Sequence, residues 1–220
     1  MPSWRLLVHG LASPARNMAI DEALLREVHD PVLRIYEWSI PAISLGYFQA
    51  IALVPEGRPF VRRYTGGGLV DHAHDVTYTV VLPRDHPWME LSALDSYCLI
   101  HRGVQAALAA CGIEGEIMPS ASTSQSEACF QKPVRFDIVA TGKKLSGAAQ
   151  RRTREGLLHQ GSILLPDMAQ NGDLRRAFAN AFAVRLELDI IPGDLTAAET
   201  TLADDLERDR YATDSWNCMR

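Results

Sequence analysis

Residues 134–165, VRFDIVATGKKLSGAAQRRTREGLLHQGSILL, decide the fold of this chain. A turn signal at Thr141 and Gly142 and the charged run 151–156 divide this stretch into three segments, which predicts a meander of three antiparallel strands. The middle strand, KKLSGAAQ, is rich in small residues that let a ligand approach the backbone closely. Lys144 lies on that strand and is a candidate functional residue.

The segments before and after the meander predict further strands and helices. Strands are indicated by VLRIYEW, ISLGYFQ and VTYTVVL, and PFVRRY leads into a glycine run between the last two. Helices are predicted after the capping residues Asn17, Ser92 and Thr196, and from near Asp173. This order predicts an α+β, or mixed α/β, fold over residues 1–220. It is expected to be one domain with a largely antiparallel central sheet flanked by helices.

Composition narrows the classes of function. The chain has 220 residues, 47% hydrophobic and 22% charged, and a formal charge of -5, which argues against a general nucleic-acid binder. No segment approaches the roughly 20 apolar residues of a membrane helix, and the start lacks a basic leader, so we expect a cytoplasmic protein. The sequence carries no signal for the oligomeric state, and a monomer is the default expectation. Its cysteines lack paired spacing, which predicts neither a disulfide nor a zinc site. Cys98 and Cys111 fall on an apolar helical stripe and are predicted to be core residues.

A second group of candidate functional residues precedes the strand VTYTVVL. Arg62 and Arg63 lead into the glycine run 66–68, whose backbone N–H groups can face a carboxylate, a phosphate or an amide. It matches neither the P-loop nor the dinucleotide fingerprint, and a bulged hairpin is the alternative interpretation. His72, His74 and Asp75 follow at close spacing, but no second acidic or histidine pair supports a metal, and none is predicted. His101 and His159 are interpreted as structural.

Cys129 is the candidate nucleophile. A free cysteine is most often a small buried hydrophobe, but Cys129 follows the polar, turn-prone segment 119–128. A nearby ammonium such as Lys144 would lower the thiol pKa from its usual value of about 8.5. The pair therefore predicts an acyl-transfer site, although the sequence leaves their contact open. Arg151, Arg152 and Arg154 add a basic cluster that suits an acidic partner.

Five segments together resemble the lipoate-protein ligase and octanoyltransferase superfamily, which shares its fold with biotin-protein ligases. They are NMAIDEALL, ISLGYFQ, RRYTGGGLVDH, ACFQKPVRFDIVATGKKLSGAAQRR and LLHQGSILL. The pattern ACF-x-x-P followed by GKK-x-SG-x-AQ-x-R is most similar to octanoyltransferases that acylate the glycine cleavage H protein. This resemblance implies that Cys129 carries the octanoyl group as a thioester. It also implies that Lys144 lowers the thiol pKa and orients the acyl carbonyl.

The resemblance implies a ping-pong transfer from octanoyl-acyl carrier protein to the lysine of a lipoyl domain, such as the glycine cleavage H protein or a dehydrogenase E2. Because a thioester is already activated, no cofactor is expected. The implied substrate-binding positions are Arg63, Gly66, Gly67, Gly68 and His72 in the cradling loop and Ser146, Gly147 and Gly161 around the acyl chain. The backbone N–H groups of Gly147 and Ala148 are candidate donors to the oxyanion.

Two alternatives stay open at this point. An ATP-dependent lipoate-protein ligase would adenylate free lipoate with ATP and Mg²⁺, using Lys144 but not Cys129. Many ligases carry a C-terminal accessory domain, which is not expected here, and Gly68 stands where the most similar transferases often have arginine. A non-enzymatic module that only binds lipoyl domains is the second alternative. The chain also has Gln160 where the superfamily commonly has histidine, which would turn His159 to the other face of its strand.

Overall fold

Eleven strands in two sheets are found in a computed structural model that describes residues 3–119, 134–164 and 172–220. The strands are Trp4–Ala12 (β1), Val32–Trp38 (β2), Ile43–Leu45 (β3), Phe60–Arg62 (β4), Val70–Asp71 (β5), Val76–Pro83 (β6), Glu116–Ile117 (β7), Ile138–Ala140 (β8), Lys143–Arg152 (β9), Gly156–Ile163 (β10) and Ile190–Pro192 (β11). Eight form one sheet in the order β11-β1-β2-β6-β10-β9-β8-β7. The contacts β11-β1 and β1-β2 are parallel and the others are antiparallel, which confirms the predicted fold class.

Helices cover both faces of this sheet. They are Pro14–Arg26 (α1), Ala93–Ala110 (α2), Gly172–Arg185 (α3), Ala197–Leu206 (α4) and Asp214–Asn217 (α5). On one face, α2 and α3 pack side chains such as Val104 and Phe178 on Tyr78 and Leu157. On the other face, α1 and α4 form a second core that includes Leu158. The two neighbours Leu157 and Leu158 thus face opposite cores, as the alternation of a strand requires.

A smaller sheet, in the order β4-β3-β5, lies beside the large one and carries the glycine run between β4 and β5. Strand β3 pairs with β4 in parallel and with β5 in antiparallel orientation. The predicted strand ISLGYFQ ends after Leu45, because the Gln49 N–H donates to the Gly46 carbonyl in a turn. This second sheet therefore holds the glycine loop in a fixed position.

Several local predictions were wrong. Ser13, not Asn17, caps α1 through its side chain, and Pro14 takes the first helical position. Asn17 lies inside the helix, fully buried, where its amide donates to the Glu37 carbonyl. Cys98 and Cys111 are both half-buried, and Cys111 packs against the core as predicted. Strands β1, β4, β5, β7 and β11 had not been predicted.

The predicted meander is confirmed as β8, β9 and β10, with Thr141 and Gly142 in the left-handed conformation of a tight turn. The capping box of Thr196 and Glu199 is also present. In the described part of the chain, no helix is long and apolar enough to cross a membrane.

Candidate active site

A cavity that is partly open to solvent lies where the two sheets meet. Its wall combines apolar side chains, two cationic side chains, several polar side chains and a series of small residues. They are Met18, Tyr36, Trp38, Leu69 and Val70; Arg63 and Lys144; Ser44, His72, Thr77, Gln160 and Ser162; and Gly67, Gly68, Gly147, Ala148, Ala149 and Gly161. An apolar pocket with a few convergent polar groups is typical of a site for a small or acyl ligand.

Lys144 reaches the cavity because β9 is irregular at its start. Ile138 pairs with Ser146 and Val139 with Lys144, so Leu145 is one extra residue in the β9 side of the ladder. Such a bulge changes which face the neighbouring side chains occupy. Leu145 packs against the core, whereas Lys144 lies beside Gly147, where an added Cβ would overlap the lysine side chain. Glycine at 147 therefore makes room for Lys144.

Asp137 is the partner of Lys144. The ammonium Nζ lies 2.8 Å from Asp137 Oδ2, and the exposed fractions of the two side chains are 9% and 0%. The same carboxylate accepts hydrogen bonds from the Tyr97 hydroxyl at 2.7 Å and from the Val134 N–H at 2.8 Å. A buried charge is tolerated when it is paired and hydrogen-bonded, so this cluster can hold an ammonium at the cavity wall. Sequence reasoning missed Asp137, although a carboxylate within an apolar strand was a usable signal.

Tyr97 on α2 connects this ion pair to β9. Burial and the charge of Asp137 raise the tyrosine pKa well above its ordinary value, so the hydroxyl stays protonated and donates to Asp137. It also accepts the Ala148 N–H at 3.0 Å. Because that N–H is already used, Ala148 is not free to stabilise an oxyanion, and this part of the prediction was wrong. Lys144 is the donor that faces the cavity.

Arg63 supports the glycine loop. Its Nη1 donates to the Ser44 carbonyl and hydroxyl at 2.8 and 2.6 Å, and its Nη2 donates to the carbonyls of Gly66 and Gly68 at 3.0 and 2.6 Å. Gly67 between them has a φ of 81°, a conformation that favours glycine. Gly67 and Gly68 line the cavity and Gly66 does not. The guanidinium therefore fixes the shape of the loop.

His72 is buried between two polar partners. Its Nδ1 lies 2.7 Å from Asp75 Oδ2 and its Nε2 lies 2.6 Å from Ser44 Oγ. The Trp38 ring stacks on the imidazole, with 3.9 Å between centroids. His74, by contrast, is exposed. His72, His74 and Asp75, whose spacing in the sequence could suit a metal, therefore do not converge on one position.

The histidine of β10 lies on the face away from the cavity. His159 is fully buried, 3.2 Å from the Tyr78 hydroxyl, and burial, with a smaller effect of the neighbouring His101 imidazole, lowers its pKa well below the ordinary value. Gln160 takes the cavity side, accepting from Thr65 and donating to Asp21, both at 2.7 Å. The predicted change of face is confirmed, and His159 is a neutral structural residue.

The remaining predicted positions divide into three groups. Gly161 lines the cavity through its backbone, and an added Cβ would overlap the Tyr78 ring on the opposite side. Ser146 is buried on that opposite side and is outside the cavity wall. Cys129 lies outside the described residues. The structure thus brings Arg63, His72 and Lys144 together with the glycine and alanine positions.

Comparison with known proteins gives consistent results. Residues 13–182 match the family described as the lipoyl protein ligase A/B catalytic domain. The chain is 34% identical to a protein named octanoyltransferase LipM from Brevibacillus brevis over 100% of both chains. It is 30% identical to the protein of that name from Bacillus subtilis over 99% of both. Among solved structures it resembles lipoate-protein ligase A bound with ATP, with 24% identity, 99% coverage of both chains and a TM-score of 0.80. It also resembles a bipartite lipoate protein ligase from Thermoplasma acidophilum, with 22% identity, coverage of 99% and 96%, and a TM-score of 0.73. At these identities the structural matches establish the fold.

Proposed function

Because this chain belongs to the lipoyl protein ligase A/B catalytic domain family, we propose that it is an octanoyltransferase that works through a cysteine thioester. The donor is octanoyl-acyl carrier protein and the acceptor is the lysine of a lipoyl domain. The observation that carries the proposal is the buried Lys144–Asp137 pair at the wall of a partly apolar cavity. Full-length similarity to proteins named octanoyltransferase supports it.

The reaction proceeds in two displacements. In the first, the Cys129 thiolate attacks the donor thioester, a new C–S bond forms, the old C–S bond breaks, and the carrier leaves as a thiolate that takes a proton from solvent. The ammonium of Lys144 favours the thiolate and donates to the carbonyl oxygen as negative charge builds on it. In the second, the acceptor amine attacks the acyl-enzyme, an amide forms, and the Cys129 thiol is regenerated.

The cavity suits the acyl chain of this substrate. Met18, Tyr36 and Trp38 offer apolar surface, and the small residues of β9 leave space beside Lys144. Both displacements use an acyl group that is already activated as a thioester. The proposed reaction therefore uses no nucleotide or metal, and its partners are an acyl carrier protein and a lipoyl-domain protein.

A transfer assay without ATP tests the proposal. Purified protein, octanoyl-acyl carrier protein and a lipoyl domain are incubated together, and octanoylation of the domain is followed by intact mass. We expect transfer by the natural protein and none by Cys129→Ala. The control Cys218→Ala removes an exposed thiol and should retain full activity. Transfer that requires ATP and free lipoate, and that survives Cys129→Ala, would establish a ligase instead.

A further inference from the structure

A chain of hydrogen bonds ends at the cavity and has no part in forming the acyl-enzyme. It runs from Ser44 Oγ to His72 Nε2 over 2.6 Å and from His72 Nδ1 to Asp75 Oδ2 over 2.7 Å. Asp75 is 5% exposed, and its other oxygen has no hydrogen-bond partner among the described residues. Because a carboxylate only accepts, Nδ1 carries the imidazole proton and Nε2 accepts from the serine hydroxyl. The chain is therefore oriented to move a proton from the cavity toward Asp75.

Ser44 connects this chain to the cavity that it lines. A hydroxyl has one donor and two acceptor positions. Its donor is used by His72, and one acceptor position takes the Arg63 Nη1 at 2.6 Å. The second acceptor position is able to take an N–H group of a molecule in the cavity. This is the contact that an incoming amine requires.

The second displacement creates the need for such a contact. A lysine side chain has an ordinary pKa of about 10.4, so the acceptor arrives as an ammonium, which is not a nucleophile. One proton must leave before the nitrogen attacks the acyl carbon. Lys144, itself an ammonium paired with Asp137, is a poor acceptor for that proton.

We propose that Ser44, His72 and Asp75 form a proton relay that activates the acceptor lysine, an inference that rests on the proposed function. The ammonium gives one proton to Ser44 Oγ as the Ser44 hydroxyl proton passes to His72 Nε2. The neutral amine then forms the N–C bond, the C–S bond to Cys129 breaks, and the second amine proton goes to the leaving thiolate. The imidazolium faces Asp75 and the Trp38 ring until it releases its proton to solvent.

The surroundings of the imidazole favour this role over hydrolysis. The same order of contacts occurs in serine hydrolases, but Ser44 Oγ accepts a hydrogen bond from the Arg63 guanidinium, which makes the oxygen a weaker nucleophile. The charged groups that face His72 are Asp75 at Nδ1, Arg63 beyond Ser44, and Lys144 in the same cavity wall.

Separate measurement of the two displacements tests the relay. Acyl-enzyme formation and its discharge to a lipoyl domain are followed in single turnovers for the natural protein, His72→Gln and Ser44→Ala. General base catalysis contributes about 10²-fold or more, so at about pH 7 discharge should slow by about 100-fold while acyl-enzyme formation changes much less. At about pH 9.5, where solvent removes the amine proton, the loss should shrink at least about tenfold. His74→Gln, an exposed histidine of the same loop, should change neither step.

Two results would overturn the relay. One is an equal loss in both displacements, and the other is a loss in discharge that stays constant between these pH values, since both indicate a structural role. Circular dichroism and thermal unfolding identify any variant that has a folding defect. If His72→Gln has one, Ser44→Ala, which keeps the His72–Asp75 contact, is the variant that tests the relay. If the natural protein forms no octanoyl adduct, the proposed function fails first and the relay fails with it.

Discussion

The two faces of the β9–β10 hairpin differ in how they keep polar groups buried. On the cavity face, Lys144 retains a carboxylate in direct contact, at 2.8 Å from Asp137. On the α2 face, His101 and His159 are fully buried without such a contact, and burial lowers the pKa of His101 to about 4. Burial disfavours charge on both faces, and a close counter-ion compensates for it on one.

The ion pair on the cavity face depends on a residue of the α2 face, where the buried histidines are neutral. Tyr97 belongs to the α2 face, yet its hydroxyl binds both Asp137 and the Ala148 N–H. Helix α2 thus sets the position of the carboxylate that holds Lys144. Changes on the two faces should therefore have graded effects on acyl transfer.

The largest effect is expected from Lys144→Met, which keeps the length of the side chain and removes its charge. Acyl-enzyme formation should slow by about 10²-fold or more, because the thiolate and the oxyanion both lose their cation. The pH dependence of Cys129 alkylation should also shift upward. Unchanged alkylation at every pH would show that Lys144 does not act on the thiol.

An intermediate effect is expected from Tyr97→Phe. Asp137 and the Ala148 N–H each lose a partner, at a cost of about 1–3 kcal/mol in unfolding free energy. Transfer should slow by about tenfold through kcat, because Lys144 is less well positioned; a fall of 1.4 kcal/mol in transition-state stabilisation corresponds to about this factor. Tyr78→Phe is the matched control, since its hydroxyl contacts His159 on the neutral side, and it should leave transfer unchanged. Equal losses of transfer rate in Tyr97→Phe and Tyr78→Phe would show that the Tyr97 hydroxyl has no special role in positioning Lys144.

The smallest effect on transfer is expected from His101→Asn, which keeps a donor near the Phe136 carbonyl. The pKa of His101 falls from 6.5 to about 4 on folding, so its contribution to stability is complete above about pH 6.5 and is lost as the pH falls toward 4. That loss is on the order of 3 kcal/mol. The free energy of unfolding, measured with denaturant, should vary less with pH in the variant than in the natural protein. The rate of acyl transfer at neutral pH should stay within about twofold of the natural rate. An equally steep loss in the variant would contradict the neutral state of His101.

Much of the fold was predictable because its signals are local. The meander, the turn at Thr141 and Gly142 and the capping box at Thr196 each follow from a few neighbouring residues. The start of α1 was misjudged because Asn17 and Ser13 both suit a cap. Pro14, which favours the first helical position, was the signal that decides between them.

The sequence predicted which residue types form the candidate site, but not which of their side chains contact one another. The Lys144–Asp137 contact depends on the bulge at Leu145, which no sequence pattern announces. Tyr97 reaches Asp137 from a helix 40 positions earlier. The Ser44–His72 contact requires a second sheet whose short strands carry almost no periodic signal.

The most direct test of the central claim is isolation of the acyl-enzyme. The protein is mixed with octanoyl-acyl carrier protein without ATP, digested under conditions that preserve thioesters, and the modified peptide is identified by mass. We predict one octanoyl group on Cys129 that disappears when a lipoyl domain is added and reappears on the lysine of that domain. An octanoyl group on another residue, or a Cys129 adduct that the lipoyl domain does not discharge, would contradict the account.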